Sequence, residues 1–261
     1  MTAPLFHQVS VPDTPELTLS GAEGRHAATV RRLRPGERLD VTDGHGVVAE
    51  CTVVQCRRDE LDCAVERRVV HPAQVPLLVA VQALVKGDRG ELAVELMTEV
   101  GVDEIVPWAA SRSIARWEGE RGARAHGRWS VTAREAAKQS RRVFWPRVCA
   151  LADTDTVAAR LAAADVAVVL HEDATEPLTR VLAAEASATR PSLARAPDTP
   201  AASPEIIVVV GPEGGITTAE LEVFAAAGGR PSRLGRTVLR TSTAGVVAAA
   251  VVLSHTSRWD R

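Results

Sequence analysis

The chain has 261 residues, 46% of them hydrophobic and 25% charged, enough apolar material for one large domain or two modest ones. A net charge of −2 excludes a uniformly basic nucleic-acid binder, so any RNA or DNA surface must be a local patch. No run of 18 apolar residues occurs, and MTAPLFHQVS lacks the basic and apolar segments of a secretory signal, so a soluble, cytoplasmic protein without a membrane span is expected.

Residues 1–72 read as short β-strands. Arg38–Val41, Val47–Val54 and Leu61–Val69 are apolar-rich runs separated by turn signals at Pro35-Gly36, Asp43-Gly44-His45-Gly46 and Arg57-Arg58-Asp59. They predict a small β-barrel, with a short helix over Glu23–Leu33. Within this stretch Cys51, Cys56 and Cys63 form no CxxC pair, and with Cys149 they read as small apolar residues of a reducing compartment. No metal site is expected.

His71–Pro76 holds two prolines and reads as a linker, after which strands and helices alternate. Leu77–Leu84 predicts a strand. Asp88 and Glu91 stand at capping-box spacing before a helix that Gly101 stops. Glu104–Trp108 predicts a strand, Trp129–Arg142 and Asp155–Ala164 helices, Val166–Leu170 a strand, Glu176–Ala184 a helix and Glu205–Val210 a strand. Ser187–Pro204 is rich in Ala, Pro, Ser and Thr and reads as a mobile insertion. Thr217 and Glu220 form a second capping box ahead of a helix to Ala227, and Thr241–Thr256 is the last helix, with its N-cap at Thr241 or Ser242. Such alternation means a mostly parallel sheet covered by helices on both faces, over residues 73–261.

Two segments point to a small-molecule site. Ile206–Gly215 (IIVVVGPEGG) is a buried strand ending in a glycine corner, and in open α/β sheets ligands sit at such strand ends. The spacing is neither that of a dinucleotide fingerprint nor that of a nucleoside triphosphate loop, and no lysine stands where a phosphate cradle needs one. Leu234–Thr241 (LGRTVLRT) reads alone as a tight turn, a short strand and a cap. The helix behind it is almost entirely Ala and Val, so it must be buried or packed against a second subunit.

Taken together, GPEGG and LGRTVLRT resemble the cofactor motifs of the SPOUT class of S-adenosylmethionine-dependent RNA methyltransferases. Lys86–Pro107 (KGDRGELAVELMTEVGVDEIVP), Arg128–Arg142 (RWSVTAREAAKQSRR), and His26 with Val30–Gly36 (VRRLRPG) extend the likeness over nearly the whole chain, and the order is that of the 16S ribosomal RNA (uracil-N3)-methyltransferase family. The resemblance implies a PUA-like RNA-binding barrel followed by an α/β domain with a C-terminal trefoil knot, and a homodimer packed through the knot helices. It implies methylation of N3 of a uridine in 16S rRNA of the small ribosomal subunit. The cofactor walls would be Leu170, His171 and Glu172, then Gly211, Pro212, Glu213, Gly214 and Gly215, then Leu234, Gly235, Val238, Leu239 and Arg240. Arg240 and Glu213 are the candidates for chemistry: Arg240 for charge developing on the uracil oxygens or for a carboxylate or phosphate, Glu213 for chemistry or loop support. No residue in the motifs announces itself as the base. One departure concerns Ser242-Thr243-Ala244, where the family carries Glu in the first of these positions; as an N-cap, Ser replaces it.

A second signal is electrostatic. Arg112–Arg147 holds ten basic residues against three glutamates, a local +7 in a chain of net −2. That segregation fits a phosphate-binding face as well as a solvated helix. Candidate RNA contacts are Arg112, Arg134, Lys138, Gln139, Arg141 and Arg142, with Lys86, and Arg25, Arg32 and Arg34 in the first domain. Trp108, Trp117, Trp129 and Trp145 are interleaved and suit either the core or base stacking. Two other readings stay open from sequence: an RNA methyltransferase for another site, and a non-catalytic RNA-binding assembly factor.

Overall fold

The computed structural model describes residues 3–188 and 203–259. The expected mobile insertion lies, between 189 and 202, outside the described residues. Two compact units are present: residues up to Ala73 with Ala137–Trp145, and Gln74–Ala136 with Pro146 onward. The first unit is therefore discontinuous, and 137–145, assigned from sequence to the second domain, belongs to it.

The first unit is a five-stranded sheet of β1 (Leu5–His7), β2 (Glu16–Leu19), β3 (Arg38–Thr42), β4 (Val47–Cys56) and β5 (Leu61–Val70), in the order β1-β3-β4-β5-β2. Only β1 and β3 run parallel. β1 and β2 were not foreseen, because three or four residues are too few to display an alternating pattern. The expected helix is α1 (Gly21–Arg25) continuing as a π-helical turn over His26–Val30. Phe6, Leu17, Leu19, Leu39, Val41, Val53 and Leu61 form the core with Cys51 and Cys63. Burial pushes those two thiols up, to about 12 and about 11.

The returning segment explains the turn at Asp43–Gly46. His45 bridges Phe144, and the Gly46 N–H donates to the Val143 carbonyl at 2.9 Å. A Cβ at Gly44 would lie 2.9 Å from the Trp145 ring, so what reads as a plain turn is a seat for an aromatic residue about a hundred positions away.

The second unit is a six-stranded, all-parallel sheet in the order β11-β9-β10-β6-β7-β8. Its strands are β6 (Leu77–Ala83), β7 (Glu104–Trp108), β8 (Arg147–Val148), β9 (Val166–Leu170), β10 (Glu205–Val210) and β11 (Arg230–Ser232). Its helices are α2 (Arg89–Val100), α3 (Gly119–Gln139, whose last turn falls in the first unit), α4 (Thr154–Ala163), α5 (Leu178–Ala188), α6 (Thr218–Ala226) and α7 (Thr241–Leu253). Alternate residues of β6, β9 and β10 feed two cores. Leu78, Ala80, Val168, Ile206 and Val208 face α2, α3, α5 and α7; Val79, Val81, Val169, Ile207 and Val209 face α4 and α6. Burial on both faces is why these strands read as unbroken apolar runs.

Three local expectations need correction. Asp88 occupies the N-cap of α2 without a side-chain hydrogen bond, and the Glu91 carboxylate accepts from Arg128 Nε at 2.8 Å, so no capping box forms. Helix α3 starts ten residues before Trp129, a stretch whose three glycines hide its periodicity. Helix α7 begins at Thr241 with Arg240 as N-cap, and no side chain caps it. Ser242 is therefore inside the first turn and buried, so its proposed service as an N-cap is withdrawn. The capping box at Thr217 and Glu220 is present with both of its hydrogen bonds.

Candidate functional site

A cleft of about 320 Å³ opens at the C-terminal ends of β9 and β10, against the segment that joins β11 to α7. Two of its walls follow directly from the sheet. Leu170, His171 and Glu172 continue β9, and Val210, Gly211, Pro212 and Glu213 continue β10. Residues 233–240 close the third side. The cleft thus gathers every residue expected at the cofactor site except Gly214, and adds Arg89, Arg233, Arg236 and Thr237 among others.

The third wall is main chain with unspent hydrogen-bonding capacity. Among the described residues, no backbone N–H from Leu234 to Arg240 donates to a protein acceptor. Gly235 has nothing within 4 Å of the place a Cβ would take, and Val238 is 75% exposed beside it. A segment with open amides, an exposed valine and a vacant flank is built for a partly apolar ligand read through the backbone.

The glycine corner works differently from expectation. Gly215 needs its left-handed φ of +74°, and its N–H closes a turn onto the Pro212 carbonyl at 2.9 Å. Gly211 is small because a Cβ would strike the Ile216 side chain at 2.7 Å, and Gly214 because one would approach Arg112 Cβ at 3.2 Å. The last two answer to the protein, so the corner's shape is fixed from behind.

Glu220 anchors that corner. The residue is 4% exposed, and its carboxylate accepts hydrogen bonds from the Ser111 N–H at 2.7 Å, the Thr217 N–H at 2.9 Å and Thr217 Oγ1 at 2.7 Å. Burial opposes its ionised form, but these donors outweigh it and hold the carboxyl below its ordinary 4.5. Charged groups line the mouth. Glu213 meets Arg89 at 3.4 Å, a half-exposed pair, while the guanidinium groups of Arg236 and Arg240 have no protein partner among the described residues. His171 Nδ1 accepts from the Asp173 N–H at 3.2 Å, which makes the other ring nitrogen of the neutral imidazole a donor. No cluster of three or more metal-ligating side chains occurs among the described residues.

Residues 72–253 match the family model described as an RNA methyltransferase domain, and residues 19–66 match that of an RNA methyltransferase PUA domain. The chain belongs to the RNA methyltransferase family. The ribosomal RNA small subunit methyltransferase E of Mycobacterium bovis is 43% identical to this family member over 100% of this chain and 95% of its own length. The protein of the same name from Bacillus subtilis is 28% identical over 94% and 93%. Among solved structures, a ribosomal RNA small subunit methyltransferase E from Neisseria gonorrhoeae bound to S-adenosyl methionine shares the fold, with a TM-score of 0.78 at 24% identity over 99% and 98% of the two chains.

In this methyltransferase the basic residues expected to touch RNA fall into distinct settings. In the first unit Arg34 is exposed, Arg25 reaches Asp59 at 3.3 Å, and Arg32 holds an unusual left-handed φ of 55°. Arg141, at φ 57°, and Arg142 follow the end of α3, where Gln139 is exposed. Lys138 is a correction: its Nζ is buried and paired with Glu23 at 2.7 Å, so it braces the first unit instead of meeting solvent. In the second unit Lys86 is exposed and Arg134 sits 3.5 Å from Glu135, whereas Arg112 turns onto the Gly214 carbonyl. The tryptophans divide similarly. Trp108 and Trp129 are core residues, Trp117 stacks edge-on to Trp129, and Trp145 lies against His7 within the first unit.

Proposed function

We propose that this chain transfers the methyl group of S-adenosylmethionine to N3 of a uridine in 16S ribosomal RNA. The cleft carries the reading: a main-chain wall with open amides, set at the ends of parallel strands and rimmed by arginines, in a chain of the RNA methyltransferase family.

The residues present fit the cofactor. Leu170, Leu234, Val238 and Leu239 offer apolar surface for the adenine, and the amides of 234–240 offer donors for its ring nitrogens and ribose. When bound, S-adenosylmethionine supplies a methyl group activated by a sulfonium sulfur. The chain's part is placement, because an in-line transfer gains most from holding its reactants in register. Arg240 and Arg236, unpaired at the mouth, serve the negative charge that develops on the uracil oxygens as the N3 proton leaves. Glu213 faces Arg89 and supports the loop. The target uridine enters unpaired or flipped, since a paired base hides N3.

The same reading takes the segments 211–215 and 234–240 as loops of a trefoil knot, the exposed arginines of both units other than Arg112 as phosphate contacts, α7 as a homodimer surface, and the cytoplasm as the site of action. Calorimetric titration with S-adenosylmethionine should give one site per chain, and Arg240→Ala should lower turnover on 16S rRNA at least a hundredfold. Absence of binding would sink the enzyme reading. In a strain lacking this protein, the reverse-transcription stop at one uridine of 16S rRNA should vanish and return on complementation; a stop that survives the deletion would exclude the uridine assignment.

A further inference from the structure

We infer that Arg112 is a positioning residue of the cofactor cleft and not a phosphate ligand. The inference rests on the cleft being the S-adenosylmethionine site. Its sequence setting, the first of ten basic residues, suggests an RNA contact, but its guanidinium turns through Nη1 onto the glycine corner.

Arg112 Nη1 donates to the Gly214 carbonyl at 3.0 Å. Arg112 Cβ lies 3.2 Å from the place of a Gly214 Cβ, and Nη1 lies 3.7 Å from that of Gly215. Gly214 is also the one residue of the 211–215 corner that does not line the cleft. The guanidinium therefore presses on the back of the loop whose front faces the ligand. An exposed hydrogen bond alone is weak, but this one comes from a fixed base. The preceding residue, Ser111, donates its N–H to buried Glu220, whose other oxygen caps α6 through Thr217. Ala109 N–H is bonded to the Ala152 carbonyl, and Ser113 N–H closes a turn on Ala110. The strand-end segment 109–113 and the glycine corner are thus tied together at Glu220 and at Gly214, and Arg112 transmits the first anchor to the second.

The test uses Arg112→Ala and Arg112→Lys in the full chain. Arg112→Ala should raise the S-adenosylmethionine dissociation constant about tenfold, the worth of one charge-assisted hydrogen bond. Its KM for RNA at saturating cofactor and the salt slope of RNA binding should stay unchanged, and Arg112→Lys should recover most of the loss. The thermal midpoint of the ligand-free protein should move by less than about 2 °C. Hydrogen exchange at the Gly215 amide, which is bonded to Pro212, should accelerate about tenfold in Arg112→Ala without any cofactor. An unchanged cofactor affinity with a salt slope reduced by about one would make Arg112 a phosphate ligand and overturn the inference. If the wild-type chain binds no S-adenosylmethionine, the cofactor reading fails by itself; the exchange measurement still judges the clamp, and an unaltered rate at Gly215 overturns it.

Discussion

At the residue scale, Glu220 and the cysteines show how burial acts in opposite directions. Glu220 is buried yet ionised, because donors from Ser111, Thr217 and Thr154 converge on it. A carboxyl held below its ordinary 4.5 adds stability that is complete above that value and lost as pH falls through the lower native one. Glu104 has the same sign, with burial again outweighed, here by Arg160 and Arg147. Glu220→Gln should therefore cost about 1–3 kcal/mol at neutral pH, with a gap to wild type that holds above the ordinary 4.5 and narrows as pH falls below it in urea titrations. A gap independent of pH would show that the carboxylate's charge is not what holds the corner. Cys51 and Cys63 are buried without such donors, and their thiols are pushed up to about 12 and about 11. Neither should react with a disulfide reagent at about pH 8 until the chain is unfolded, because the thiolate is the reactive form. Rapid labelling of either in the native protein would contradict the packed core.

Individual elements differ in how plainly they declare themselves. Strands buried on both faces, such as Val166–Leu170 and Glu205–Val210, appear in the sequence as apolar runs with sharp ends, and the structure keeps those ends. The capping box at Thr217 is equally plain, since its two partners are local. What stayed hidden depends on distant partners: β8 and β11, two and three residues long, exist only because a neighbouring strand pairs with them. The cleft shows the same division. Its wall residues were readable from GPEGG and LGRTVLRT, but not the reasons for its glycines, which lie in Ile216 and Arg112. Helix α3 shows why glycine alone misleads. A Cβ at Gly90 in α2 would meet the buried Trp129 ring of α3 at 2.8 Å, whereas one at Gly127 in α3 would meet nothing within 4 Å. Alanine gains about 1 kcal/mol over glycine in a helix, and overpacking costs about 1–3 kcal/mol. Gly127→Ala should accordingly raise the denaturation midpoint and Gly90→Ala lower it. Equal effects would mean that propensity, not the α2–α3 contact, decides both positions.

For the whole molecule the decisive element is α7. It carries no charged side chain, and one side of it is spent inside the second unit: Gly245, Ala248, Ala249, Val252 and Leu253 are buried, with Gly245 so close to Met97 that a Cβ would come within 2.7 Å of the sulfur. The opposite side stays open. Thr243 and Ala250 are partly accessible and Val247 is 39% exposed, spaced so that they share one face. An uncharged helix directly behind the cleft's third wall has little reason to present that stripe to water, and a second copy of the chain would cover it with an identical stripe about a two-fold axis. Such a contact would also stiffen the 234–240 segment, which runs straight into the first turn of α7. Val247→Arg places a charge at the centre of that stripe while leaving the buried side untouched. Analytical ultracentrifugation at micromolar concentration should show a dimer for the wild type and a monomer for Val247→Arg, with the monomer's affinity for S-adenosylmethionine reduced at least tenfold. A wild-type chain that sediments as a monomer yet binds the cofactor fully would separate the cleft from any partner and end the dimer reading.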